Sequence, residues 1–168
     1  KFISEKMPGS RIAILYQNDD LGKDFVGAFR SYMKDDFGKL VVAKSYEATD
    51  PTVDSQIVSL KSSGAEAIFI AGSPKFTAQG IRKIREIGWN PLTVIISSTT
   101  SVAGTLTAAG LDNAKGVVSS AFLKDPMDTT WKDDTAVENY RAFFAKYIPG
   151  GDLADGVLVG VDQHEFDV

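Results

Sequence analysis

The chain contains short apolar runs that do not alternate with polar residues, and these runs constrain its fold most strongly. The first, Ile12 to Tyr16, lies between the polar residues Arg11 and Gln17. A strand with one face in water alternates polar and apolar residues, whereas a strand covered on both faces reads as a continuous apolar run. We therefore predict that this run is an interior strand of a parallel sheet.

Amphipathic helix patterns separate this strand from further apolar runs. The first pattern runs from Leu21 to Phe37, where Gly38 is expected to end the helix. Thr49-Asp50-Pro51 and Ser73-Pro74 each have the form of a helix start. Alternating βα units favour a three-layer α/β fold, with helices on both faces of a mostly parallel five-stranded sheet. The strands are predicted at residues 12–16, 40–46, 67–72, 93–96 and 116–122, and the last helix at residues 135–147.

The composition excludes several classes of function. The 168 residues include no cysteine, which excludes disulfides, cysteine-ligated zinc and cysteine nucleophiles. The net charge of −4 argues against a nucleic-acid partner, because phosphate binding needs clustered lysine and arginine. No apolar stretch approaches the roughly 18 residues of a membrane span. The first residues also lack the apolar core of a signal peptide.

Ligand-binding residues are expected at the carboxyl ends of the strands, because open α/β sheets bind their ligands there. The first such loop holds Asp19 and Asp20, which could bind a metal ion or a ligand ammonium, or cap the following helix. The loop after the fourth strand is rich in hydroxyl groups, which suit a polar ligand and a helix cap equally well. The loops of this kind are residues 17–22, 72–75, 97–101 and 123–128.

The sequence has no recognisable catalytic or cofactor-binding motif. The first βα loop has one glycine, Gly22, so the glycine-rich motifs that hold dinucleotides and phosphates are missing. The single histidine, His164, lies in the terminal segment, where a solvated side chain is expected, and the hydroxyl-rich loop contains no base. An enzyme on this fold would have to use Asp19 or Asp20 as its base. We therefore expect no enzymatic activity and no cofactor.

Several stretches together resemble the type I periplasmic solute-binding proteins, specifically the branched-chain amino-acid (leucine/isoleucine/valine) binding family of ABC transporters. No single stretch is specific, but their order and spacing together are. The matching stretches are Ile12 to Asp24, Tyr46 to Leu60, Ser73 to Trp89, Lys115 to Val117 and Lys124 to Lys132. Members of this family have two similar α/β lobes that trap a solute in the cleft between them.

The resemblance implies that residues 1–168 form a single flavodoxin-like lobe, the carboxyl-terminal one, of a longer two-lobe protein. Residues 1–8 would then be the tail of a helix between the lobes, and residues 157–168 would be a divergent or truncated end. The lobe would contact its ligand from three loops. By position in the family, the contacting residues are Asp20, Leu21, Gly22, Ser73, Pro74, Ser98 and Thr99.

The resemblance also implies a function, that of a periplasmic or otherwise extracytoplasmic solute-binding component of an ABC importer. Such a protein would capture a small carboxylate-bearing solute, an amino acid or an aromatic acid, by hinge closure. Its partners would be the solute and the permease subunits of the transporter, and the isolated lobe could self-associate through its uncovered surface. The alternatives are a ligand-sensing domain of a receptor or regulator, and a small enzyme on the same fold.

Overall fold

The centre of the computed structural model, which describes residues 1–120, 124–151 and 153, is a parallel sheet. Its five strands lie in the order β2-β1-β3-β4-β5, and every neighbouring pair is parallel. The expected α/β fold with a five-stranded sheet is confirmed. The strands are β1 (Ile12–Gln17), β2 (Val41–Tyr46), β3 (Ala67–Ala71), β4 (Leu92–Ile95) and β5 (Val118–Ser119).

Helices connect the strands and cover both faces of the sheet. The α-helices are α1 (Phe2–Lys6), α2 (Asp20–Met33), α3 (Phe37–Leu40), α4 (Asp54–Ser62), α5 (Pro74–Glu86), α6 (Thr107–Ala109), α7 (Leu111–Ala114) and α8 (Thr135–Tyr147). Shorter turns of 3-10 helix lie at residues 34–36, 97–99 and 129–131, and a π-helical turn covers residues 102–106. Within the described parts of the chain, no helix is long and apolar enough to cross a membrane.

Strand β1 shows why an unbroken apolar run forms an interior strand. Its side chains point alternately to the two faces of the sheet. Ala13 and Leu15 join the core that includes α4 and α5, while Ile12 and Ile14 join the core against α1 and α2. All four residues are at most 2% exposed. Full burial of each large aliphatic side chain stabilises the fold by about 1.5–3 kcal/mol. Because these side chains are buried on both faces of the strand, the helices on both sides of the sheet stabilise β1 at its centre.

The first long helix ends before its apolar pattern does. Helix α2 ends at Met33, and Lys34 has a φ of 50°, the one positive φ of a non-glycine residue in the described part of the chain. A 3-10 turn and α3 follow, so Gly38 lies inside a short helix instead of ending the long one. Phe37 still packs against α2, since its ring centre lies 5.1 Å from the guanidinium of Arg30. The apolar spacing in the sequence continues across the break, so it does not reveal where the helix ends.

Helix α4 begins later than the Thr49-Asp50-Pro51 signal predicts, at Asp54. The Asp50 carboxylate instead accepts a hydrogen bond from the backbone N–H of Glu47, at 2.9 Å, and the Asp50 N–H donates to the Glu47 carbonyl, also at 2.9 Å. The residues that resemble a helix cap therefore close a tight turn after β2. An Asp side chain can cap a turn as well as a helix, so the local sequence does not distinguish the two.

The last described part of the chain forms a small cluster of its own. Helix α8 has the predicted bounds, and its buried residues Val137 and Tyr140 pack against Trp131. The last strand is much shorter than predicted, since β5 is confined to Val118–Ser119. The end of the predicted strand, at residues 121–122, and the predicted divergent end at residues 157–168 lie outside the described residues, as does His164.

Candidate functional site

The predicted ligand-contacting loops lie side by side at one edge of the sheet. Strand β1 pairs with β2 on one side and with β3 on the other, and β3 pairs with β4. The connections that leave β1 and β3 therefore run in opposite directions, which opens a crevice at the carboxyl ends of these two strands. The loops at Asp20–Gly22, Ser73–Pro74 and Ser98–Thr99 follow β1, β3 and β4, so the fold places them next to one another.

The first loop is held by the side chain of Asp19, which caps α2. One carboxylate oxygen accepts a hydrogen bond from the backbone N–H of Gly22, at 2.8 Å. The other accepts one from the side-chain amide of Gln17, at 2.5 Å. Asp20 and Leu21 are exposed beside this cap, and Leu21 is 57% exposed. Asp19 is therefore a structural cap with both oxygens engaged, whereas Asp20 and Leu21 form the accessible lip of the loop.

Gly22 is required by the close approach of the chain to itself. Helix α2 starts so near the end of β1 that a Cβ on Gly22 would overlap the backbone carbonyl oxygen of Gln17 and stand 3.0 Å from its carbonyl carbon. The obstacle is backbone, which cannot rotate away. Gly22 is buried and lacks a side chain, so its contribution to a ligand site would be to let the loop close tightly.

The second loop leads into α5. The backbone N–H of Ser73 donates a hydrogen bond to the Tyr46 hydroxyl, at 3.1 Å, but the Ser73 side chain makes no capping hydrogen bond to the helix. Pro74 is the first helical residue, as the Ser73-Pro74 signal predicts, and it is exposed together with Lys75. The ammonium of Lys75 lies 4.7 Å from the centre of the Phe76 ring. The start of α5 is therefore open and bears a positive side chain.

The third loop is a 3-10 turn rather than an extended loop. Thr99 is 1% exposed, and its hydroxyl donates to the carbonyl of Ile96 at 3.0 Å. Ser101 accepts from the N–H of Gly104 at 2.9 Å and caps the π-helical turn. Much of the hydroxyl-rich stretch is thus engaged within its own backbone. Of the two predicted residues, Ser98 is exposed and Thr99 is buried.

Tyr46, at the end of β2, is a site residue that sequence reasoning missed. Its hydroxyl accepts the hydrogen bond from the Ser73 N–H and donates one to the side-chain oxygen of Gln17, at 3.2 Å, so it joins the first loop to the second. Burial raises the pKa of Tyr46 above its usual value, against the lowering effect of the Ser73 hydrogen bond, and the charge of Asp19 adds to the rise. A polar aromatic residue closing a strand was the available sequence signal.

The loop after β2 also reaches this edge and was not among the predicted loops. The backbone N–H of Asn18 donates to the Tyr46 carbonyl at 2.8 Å, and its side-chain amide donates to the Glu47 carboxylate at 2.6 Å. No cluster of acidic or histidine residues that could hold a metal ion occurs among the described residues. The edge therefore offers hydroxyl groups, backbone amides and exposed Asp20 and Lys75, a set suited to a polar organic ligand.

Solved structures with the same fold include substrate-binding proteins of transporters. A fatty acid ABC transporter substrate-binding protein from Thermomonospora curvata has a TM-score of 0.70 and 18% identity, over 88% of this chain and 38% of that one. A possible leucine/isoleucine/valine-binding protein from Rhodopirellula baltica SH 1 has a TM-score of 0.70 and 20% identity, over 90% and 42%. A leucine binding protein from Thermotoga maritima MSB8 has a TM-score of 0.65 and 15% identity, over 92% and 43%.

These likenesses establish the fold, and the chain spans less than half the length of each of these proteins. No curated protein sequence matches the chain. The sequence profile of a family described as periplasmic binding protein matches residues 1–162, and the resemblance to type I periplasmic binding proteins is confirmed. The family and these neighbours are binding proteins rather than enzymes. Because the profile match spans nearly the whole sequence, the chain belongs to the periplasmic binding protein family.

Proposed function

We propose that this chain is one lobe of the solute-binding component of an extracytoplasmic ABC importer, and that it captures a small carboxylate-bearing solute. The family supports a binding role. Neighbours of the same fold are named as substrate-binding proteins of transporters, which supports an importer and, with it, permease subunits as partners. The site residues proposed are Asp20, Leu21, Gly22, Ser73, Pro74, Ser98 and Thr99. The buried residues Gly22 and Thr99, whose N–H groups are engaged by Asp19 and Ile96, would shape their loops, while the other five would contact the ligand.

The open start of α5 is the observation that supports a carboxylate-bearing ligand. The first-turn N–H groups of a helix have no intrahelical partner, and at α5 these belong to Lys75 and Phe76, since Pro74 has none. The Ser73 side chain does not cap them, whereas Asp19 caps the neighbouring helix α2. A helix start attracts negative charge, and the Lys75 ammonium adds to the attraction. An anion from outside the chain can therefore take the place that a capping carboxylate takes at α2.

The neighbouring residues favour a ligand with an apolar body or an ammonium group. Leu21 is 57% exposed at the lip and offers apolar surface. Exposed Asp20 offers a carboxylate to an ammonium, and Ser98 offers a hydroxyl. An amino acid and an aromatic acid both fit this set. The choice between them depends on whether Asp20 or Leu21 makes the stronger contact.

Capture would require a second wall. The loops form an open edge of one sheet, and a ligand bound there keeps much of its surface in water, whereas binding pockets typically enclose most of a ligand. We propose that hinge closure against a second lobe completes the site, because contacts to both lobes favour the closed state. The same uncovered edge is where the isolated lobe would self-associate.

Calorimetry with L-leucine and benzoate tests this function. We expect the full-length protein to bind one of the two, and these 168 residues alone to bind it at least about a hundredfold more weakly, since a lone lobe supplies half of the contacts. A Lys75→Gln variant of the full-length protein should bind more weakly. Lys61→Gln serves as the control, because the Lys61 ammonium donates to the carbonyl of Ile87, at the opposite end of α5 from Lys75. Tight binding by the 168 residues would contradict the proposal that this lobe supplies only half of the binding site. Binding by Lys75→Gln as tight as that of the wild type would contradict the proposal that the start of α5 binds the carboxylate.

A further inference from the structure

We propose that Tyr46 is a positioning residue that sets the spacing of the first and second ligand-contacting loops. This inference rests on the proposed function, in which those loops contact the solute. Tyr46 itself is 2% exposed and lies beneath the edge rather than on it. Its effect on binding would therefore pass through the residues that its hydroxyl holds, Gln17 at the end of β1, just before the first loop, and Ser73 in the second loop.

The hydrogen bonds across this edge form a chain with a single direction. The backbone N–H of Ser73 can only donate, and it donates to the Tyr46 oxygen. Tyr46 then donates its proton to the side-chain oxygen of Gln17, whose amide nitrogen donates to the Asp19 carboxylate. A carboxylate can only accept, so both ends of the chain determine how the phenol and the amide between them are oriented. Bonds aligned in this way polarise one another and strengthen the whole chain.

Packing leaves the phenol no second position. Its ring lies 4.4 Å from the ring of Phe76, between centroids, and Phe76 is 2% exposed. A Cβ on Gly72 would overlap the hydroxyl, so the backbone at Gly72 also lies against Tyr46. Rotation of the phenol would break two hydrogen bonds and open a gap in a buried cluster. The buried phenol of Tyr46 thus holds the two loops at a fixed separation.

The arrangement also decides which amides a solute can use. The Ser73 N–H is engaged by Tyr46, so a carboxylate at the start of α5 would be left with the N–H groups of Lys75 and Phe76. Burial, which raises the pKa of the phenol, keeps its proton available for Gln17 throughout the neutral range. Tyr46 therefore fixes both where the helix start stands and which of its donors remain open.

Tyr46→Phe in the full-length protein tests the positioning, with Tyr140→Phe as the matched control. Tyr140 is also buried, at 7% exposed, but lies in the separate cluster around α8. In nuclear magnetic resonance, Tyr46→Phe should speed exchange of the Ser73 amide by about fivefold or more, the factor that corresponds to one net hydrogen bond. It should also shift the side-chain amide resonances of Gln17. The control should leave both signals unchanged. An unaltered Ser73 amide in Tyr46→Phe would overturn the proposal.

Binding of L-leucine and benzoate to the same variants separates this inference from the function on which it rests. We expect Tyr46→Phe to weaken binding of whichever probe the wild type binds by about fivefold, and Tyr140→Phe to leave it unchanged. A disturbed Ser73 amide with unchanged affinity would overturn the role in binding. If the wild type bound neither probe, the carboxylate function would fail, while the amide signals would still decide whether Tyr46 fixes the loops.

Discussion

The hydroxyl of Tyr46 occupies the space in which a side chain on Gly72 would begin. A Cβ on Gly72 would overlap this hydroxyl and stand 3.2 Å from the Cζ atom of the Tyr46 ring. Gly72 is not among the glycines with positive φ, so its backbone conformation is open to other residues. Position 72 therefore requires glycine because the Tyr46 hydroxyl occupies the place of a Cβ, and not because of its backbone conformation.

Gly72→Ala is therefore expected to destabilise the chain by about 1–3 kcal/mol, the usual cost of overpacking. In the Tyr46→Phe background the same substitution should cost less, because the overlapping oxygen is gone. Urea unfolding of the four chains gives the coupling between the two positions. An equal cost of Gly72→Ala in both backgrounds would show that the phenol oxygen is not the obstacle.

Gly22→Ala should be more damaging, because its Cβ would meet the backbone of Gln17 rather than a side chain. We expect a loss of about 3 kcal/mol in the free energy of unfolding, at the upper end of overpacking costs. Gly27→Ala is the matched control on the same helix, since nothing lies within 4 Å of its Cβ position. It should raise stability by about 0.5–1 kcal/mol through helix propensity. Urea unfolding measures both, and similar effects of the two would refute the close approach at Gly22.

Substitutions at the neighbouring residues Ser98 and Thr99 should have different effects, one on ligand binding and the other on the free energy of unfolding. Thr99→Ala removes a buried hydroxyl that donates to Ile96, so we expect it to lower stability by about 1–2 kcal/mol. Ser98→Ala changes an exposed side chain and should stay within about 0.5 kcal/mol. In the full-length protein, Ser98→Ala should nevertheless weaken binding of L-leucine or benzoate. Unfolding and calorimetry on the same samples check this, and normal binding by Ser98→Ala would remove Ser98 from the site.

The ion pair of Lys124 and Asp134 should make stability depend on acid pH. The ammonium lies 2.5 Å from one Asp134 oxygen, and the other accepts from the N–H of Val137 at 3.1 Å. The Lys124 hydrogen bond, together with that from Val137, holds the pKa of Asp134 below its usual value. A carboxyl group of this kind stabilises the fold above its unfolded pKa of about 3.9 and loses that contribution as pH falls through its folded pKa.

Asp134→Asn is accordingly expected to lower stability at neutral pH. Its effect should shrink as pH falls from the unfolded pKa of about 3.9 through the lower pKa of the folded group, because the wild type loses the contribution of the ion pair over that range. Urea unfolding across a pH series measures this. Asp133→Asn is the control, because the Asp133 side chain is 86% exposed and lies 3.8 Å from Lys132, a surface pair that contributes little. A loss in Asp134→Asn that stayed constant down to pH 3 would mean that the pair is not the cause.

The sequence alone determined the layers of this protein. An unbroken run such as Ile12 to Tyr16 has to be covered on both faces, and apolar spacing in the helices supplies the cover. The start of α5 at Pro74 and both ends of α8 could also be predicted, because a helix end of this kind depends on residues within one or two turns. The order of the loops along the chain then indicated the edge at which a ligand would lie.

The tertiary structure decided what those loops can do. Asp50 caps a turn instead of a helix, Thr99 is buried while Ser98 is exposed, and Asp19 is engaged by Gln17 and Gly22. The Tyr46 hydroxyl bonds with residues 29 and 27 positions away in the chain. Local pattern reports which face of an element is apolar. Which polar group meets which depends on how the strands are ordered and paired, and that is settled when the sheet assembles.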